Sequence, residues 1–123
     1  MKALTVKNPW AYLICSGAKD IENRTWRISF RGRILVHAGG TIDRRDFVPR
    51  VDCPAPCSAI IGSVEIVDCI EDSASPWAMP GHWHWVLREP ELFAHPILDI
   101  RGALSLWEVP EAIGVAVARE RAV

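Results

Sequence analysis

Lys19, Glu22 and Arg24 bring two cations and a carboxylate close together in the run Gly17-Ala18-Lys19-Asp20-Ile21-Glu22-Asn23-Arg24. Those three residue types can do chemistry together. A lysine taken out of water becomes a nucleophile or a base when an acid stands beside it. A guanidinium offers a rigid fork of donors to a phosphate or a base edge, and a carboxylate accepts from an amine. Structural roles compete with these. A lysine just past a helix end satisfies free carbonyls and complements the dipole. Glu22 and Arg24, two apart on a strand, also make an ordinary surface ion pair worth about 0–1 kcal/mol.

The elements around the run decide where it sits. Asn8 is a good helix cap, Pro9 suits the first turn and Gly17 the stop, with Trp10, Leu13 and Ile14 at helical spacing between them. The spacing predicts a helix over Pro9 to Ser16 and strands over Ile21 to Trp26 and Arg33 to Ala38. Lys19, Glu22 and Arg24 then lie where a helix hands over to a sheet, the mouth of a prospective pocket.

Other chemistries find less support. Cys53 and Cys57 with His82 and His84 offer four zinc ligand types, but their spacing fits no standard knuckle, and no metal is expected. None of the serines stands in a nucleophile elbow. Gly39-Gly40-Thr41 lacks the lysine of a phosphate loop, although a turn of this kind entering a helix holds a single phosphate on free amides. No cofactor is expected.

The charged run resembles the Gly-x-Lys-x-x-Glu-x-Arg signature of ASCH domains, a branch of the PUA-like superfamily, with Gly17, Lys19, Glu22 and Arg24 at its fixed positions. Pro9-Trp10-Ala11, Arg24-Thr25-Trp26, Arg31-Gly32-Arg33 and His37-Ala38 are similar to the flanks of one subgroup. Ile61-Gly62-Ser63-Val64, Trp83 to Leu87 and Gly102 to Trp107 carry the likeness on, and it is weak only from Gly39 to Cys57. The resemblance implies a small PUA-like mixed β-barrel flanked by short helices, an α+β fold. It also implies binding of RNA or nucleotides. Some small members are amidohydrolases that remove the acetyl group from N4-acetylcytidine, and RNA cleavage is also known in the family. In those hydrolases the lysine works with a threonine three residues on and a later glutamate. Here Glu22 replaces the threonine, and Glu65, Asp68 and Glu71 are the candidates for the acid. Other members are parts of transcriptional coactivators, which makes a protein-interaction module the third reading.

The length of 123 residues fits one domain over 1–123. With 14 basic and 15 acidic residues the formal charge is −1, so no global field draws the chain onto nucleic acid. A nucleic-acid site must then be local, such as Arg27, Arg31, Arg33, Arg44 and Arg45. The first strand, Ala3 to Val6, is too short for a signal peptide, and no run approaches a membrane span. A cytoplasmic protein with reduced cysteines is expected, Cys15 and Cys69 being core residues.

Further along, Thr41 is read as the cap of a helix over Ile42 to Val48, followed by an irregular, Pro-rich stretch to Pro56. Ala59 to Ile70 alternates with period two, placing Ile60, Val64 and Ile66 inward with Asp68 on the same face and a bend at Gly62. His82 to Leu87 alternates again, Leu98 to Val109 adds a last strand or two, and a terminal helix begins at Glu111. Trp10, Trp26 and Trp107 read as core, as do Trp83 and Trp85, while Trp77 lies in a loop. The binding site expected from all this is Lys19, Glu22 and Arg24, with Trp10 or Trp77 as a stacking wall and Arg31 and Arg33 as further contacts. Its ligand is single-stranded RNA, a nucleotide or a nucleoside. If the chain is an enzyme, Lys19 and Glu22 are its catalytic residues.

Overall fold

Leu4 and Val6 point to one side of β1 (Lys2–Asn8) and Ala3 to the other, and all three are buried. A strand covered on both faces belongs inside a layered fold. The computed structural model describes residues 1–122. After β1 come α1 (Trp10–Cys15), β2 (Ile21–Arg24), β3 (Gly32–Ile42), β4 (Ala59–Ile70), β5 (Trp83–Ile97), β6 (Leu106–Glu108) and α2 (Glu111–Arg121). The strands form one sheet in the order β2-β5-β4-β3-β1-β6, antiparallel except for the parallel β1/β3 pair.

The α+β class holds, but the sheet is not closed into a barrel: among the described residues no ladder joins β2 to β6 or β1. β6 is too short to do so, pairing only with Lys2 to Leu4. α1 packs on one face, over Leu4, Val6, Val36, Ile61, Val64, Ile66 and Trp85. α2 packs on the other through Val117, against β5 and a smaller cluster of Ala3, Leu35, Ile60 and Phe93. Trp85 is fully buried and is the large aromatic of the core.

β4 departs from simple alternation. Ala59, Ile61, Val64 and Ile66 join the α1-side core, whereas Ile60 faces the α2 side. The phase slips where the register with β5 shifts, between Ile60 and Gly62 and again between Ser63 and Glu65. A third shift, between Ile66 and Asp68, brings Cys69 inward and turns Asp68 out, so Asp68 does not share the inward face.

Three further expectations are corrected. Residues 42–48 form no helix: β3 runs on through Gly39, Gly40 and Thr41 to Ile42, and turns follow. The Gly-Gly-Thr segment is therefore strand and presents no helix N-terminus to a phosphate. β5 continues past Leu87 to Ile97, and of residues 98–109 only Leu106–Glu108 is strand. Trp10 and Trp107 are half-buried and Trp26 is exposed on the edge of Trp85, since apolar neighbours in sequence do not guarantee an inward face. No helix among the described residues is long and apolar enough to cross a membrane.

Candidate functional site

The junction between α1 and β2 is built by Gly17. At φ +90° it takes the left-handed conformation that ends a helix, and its N–H returns to the Ile14 carbonyl at 3.1 Å. The Lys19 N–H then caps the Leu13 carbonyl at 3.0 Å, which folds the lysine side chain back under the helix. Lys19 is 5% exposed and Glu22 7%. The Lys19 Nζ donates to the Ile21 carbonyl and reaches Glu22 Oε1 at 3.4 Å. Arg24 Nε donates to Glu22 Oε2 at 2.9 Å, and Nη2 pairs with the same oxygen at 2.9 Å and donates to the Thr5 carbonyl at 3.1 Å. Burial pushes the Lys19 amine below the usual lysine range, and the neighbouring Glu22 charge opposes that fall.

Two tryptophans stand beside these charges. Lys19 Nζ lies 5.7 Å from the Trp10 ring centre, and the Trp10 and Trp77 rings meet edge to face at 6.3 Å and 84°. Trp77 is held by its indole N–H on the Ala18 carbonyl at 2.9 Å. Asn23 pins the same loop with both ends of its amide, donating to the Trp77 carbonyl and accepting from the Met79 N–H, each at 2.9 Å. His84 supports it from below. Its Nδ1 accepts from the Ser73 N–H at 3.1 Å, so Nε2 carries the proton and donates to the Met79 carbonyl at 2.7 Å.

The opposite wall follows β3. The Trp10 indole N–H donates to Asp43 Oδ2 at 2.9 Å, and Arg45 clasps the same carboxylate through Nε at 2.9 Å and through Nη2. The Arg45 hydrogen bonds hold the Asp43 carboxyl far below the usual carboxylate range. The Arg45 guanidinium lies 4.6 Å from the ring centre of Phe47, which is 61% exposed. Between the walls opens a cavity of about 660 Å³, with Lys19, Glu22, Arg24 and Trp10 inside and Lys7, Arg45, Phe47, Trp77 and Met79 around them. That volume suits a small organic ligand.

Lys19, Glu22, Arg24 and Trp10 thus line one cavity. Arg31 and Arg33 do not. Arg31 donates to the Ile28 and Phe30 carbonyls and faces Asp68 at 3.7 Å. Arg33 joins Ser63, the Glu89 carbonyl and Glu91. The flanking arginines are thereby spent on tying strands together. Of the arginines named for a local patch, Arg45 lines the cavity, whereas Lys7, Asp43 and Phe47 were not foreseen; an aspartate two residues before an arginine, with a phenylalanine just beyond, was the available signal. His82 lies at the cavity rim, while His84 is buried in the loop support. Among the described residues no group of three or more His, Cys, Asp or Glu is gathered as for a metal ion.

A six-stranded mixed sheet with two short helices is consistent with the ASCH/PUA-like fold. Residues 4–116 match the ASCH domain family, and the chain belongs to it. The family is generally linked to RNA binding. The chain is also similar to activating signal cointegrator 1 of Mus musculus, with 28% identity over 83 residues, covering 54% of this chain and 14% of that protein. It therefore spans a small part of that relative's length.

Proposed function

We propose that the chain binds RNA or a nucleotide, modified or unmodified, by seating one or a few nucleotides in the cavity. What carries this reading is the meeting of aromatic walls with buried cationic donors in a single concave site. Unpaired bases are held in this way, stacked on aromatic rings and gripped at their edges. The near-neutral chain favours such a local site over a long electrostatic track.

The test is a calorimetric and thermal-shift titration with nucleosides, nucleotides and single-stranded oligoribonucleotides. A true ligand at a hundred times its Kd stabilises the fold by about 2.7 kcal/mol. Stacking on Trp10 or Trp77 would also quench tryptophan emission. If nothing in that set binds, the reading fails and a protein-interaction module becomes the better account.

One observation favours hydrolysis as a second reading: the depressed Lys19 amine beside Glu22 is the start of a base–acid pair. The rest of that machinery lacks support. Glu22 stands where the hydrolases carry threonine, and none of Glu65, Asp68 and Glu71 lines the cavity. Conversion of N4-acetylcytidine to cytidine, abolished by Lys19→Met, is the result this second reading requires.

A further inference from the structure

The hydrogen-bonding capacity of the cavity floor is unevenly spent. Glu22 Oε2 already takes both Arg24 contacts at 2.9 Å, while Oε1 accepts from Lys19 at 3.4 Å and keeps one lone pair. Asn23 spends one bond from each end of its amide on the loop that holds Trp77. The indole N–H groups of Trp10 and Trp77 are committed to Asp43 and to the Ala18 carbonyl. The Thr5 hydroxyl accepts from the Trp107 indole at 3.2 Å and pairs with His37 Nδ1 at 3.1 Å.

What remains on the floor is mostly donor in character. A guanidinium has five N–H donors and an ammonium three, and neither has an acceptor. Arg24 engages its Nε and Nη2, leaving Nη1. Lys19 engages the Ile21 carbonyl and Glu22, leaving one proton beside the Trp10 face. The charged lining agrees in sign, with four cationic side chains, Lys7, Lys19, Arg24 and Arg45, against the two acids Glu22 and Asp43.

We propose that this donor-rich floor makes the site selective for nucleotides whose base turns a carbonyl oxygen, rather than an exocyclic amine, towards Arg24 and Lys19. A keto group accepts from both. An amine in the same place sets donor against donor and leaves buried N–H groups unpaired, which is the stronger form of rejection. The surplus positive charge adds a preference for a phosphate-bearing ligand, with Lys7 and Arg45 available at the rim. This inference rests on the nucleotide-binding reading and assigns its specificity.

Two matched pairs test it on the wild-type protein, so that folding of a variant plays no part. Inosine 5′-monophosphate and adenosine 5′-monophosphate share a purine frame and differ in a keto or amino group at position 6. Uridine and cytidine 5′-monophosphates repeat the contrast on a pyrimidine. Calorimetric titration should show the keto member binding about tenfold tighter in whichever pair fits the cavity. Equal affinities within each pair, or tighter binding of an amino member in the better-binding pair, overturn the selectivity and leave nucleotide binding standing. Failure of all four to bind removes both the selectivity and the reading beneath it.

Discussion

The Arg24 guanidinium on β2 donates to the Thr5 carbonyl on β1 at 3.1 Å, joining two strands four places apart in the sheet order. The sheet thus curls until its first strand faces its fifth. A side chain crosses the gap where a closed barrel would have a backbone ladder. The cavity is that gap, which is why its floor is charged: the bridging guanidinium needs Glu22, and Glu22 in turn shields Lys19.

Arg24→Lys keeps the charge but loses the fork that reaches Glu22 and Thr5 together. A charged hydrogen bond contributes about 1.5–3 kcal/mol, so urea denaturation should show a loss of roughly that size. Amide exchange should rise in β2, which has only four residues and one partner strand. An unchanged midpoint would mean that the seam contributes little.

Glu22→Ala should be more damaging than Lys19→Met. Removing the carboxylate strands two partly or wholly buried cations, whereas removing the amine leaves Glu22 its Arg24 partner. Breaking a buried pair from one side costs about 3–5 kcal/mol. Loss of ligand binding in Glu22→Ala alone therefore does not separate folding from recognition, and Lys19→Met is the cleaner probe of the site.

Local signals carried much of this into the sequence. Asn8 and Gly17 bracket α1 because capping and left-handed stops are short-range chemistry, and Asn8 Oδ1 does accept from the Tyr12 N–H at 3.2 Å. Glu22 and Arg24 share a side because they lie two apart on a strand. The open sheet was not legible, since closure depends on how long β6 is and which strand it meets. Nor was the outward turn of Asp68, which a bulge two residues earlier controls through pairing with β5. The helix expected at 42–48 lost to pairing of Asn8 with Ile42 and to the Asp43 N–H on the Asn8 carbonyl at 2.8 Å.

Asp43 gives the cavity wall an acid-sensitive contribution. Its folded-state carboxyl titrates well below the unfolded value of about 3.9, so its stabilisation is fully present above that pH and falls away as pH drops towards the folded value. Asp43→Asn should be less stable than wild type at pH 6, and the difference should shrink steadily from pH 4 down to pH 2. Thermal melts of the two proteins across that range check the sign; a difference that grows with acid would contradict it.

Gly62 is fixed by its neighbours rather than by its backbone angles. A Cβ there would lie 2.0 Å from the Glu91 carbonyl oxygen and 2.7 Å from the Sγ of the buried Cys15. Gly62→Ala should therefore cost about 3 kcal/mol, the upper end of overpacking penalties, read as a lower urea midpoint. α1 should be displaced as well, because Cys15 sits at its last turn. A near-neutral substitution would show that β4 and β5 can part there.

Salt dependence distinguishes a pocket from a track. Each phosphate neutralised on a single strand contributes about −0.7 to the slope of log K against log salt. The cavity holds one or a few nucleotides, with Lys7 and Arg45 at its rim and the rest of the surface close to neutral. A slope of magnitude about 1–2 is therefore expected for a single-stranded hexaribonucleotide. Lys7→Met should lower it by nearly one phosphate without changing the fold, since Lys7 is exposed. Because Arg31 and Arg33 are tied to Asp68, Ser63 and Glu91, Arg31→Met should leave the slope unaltered. A slope several times steeper, growing with oligonucleotide length, would mean that the backbone is followed across the surface and that the cavity is not the principal site.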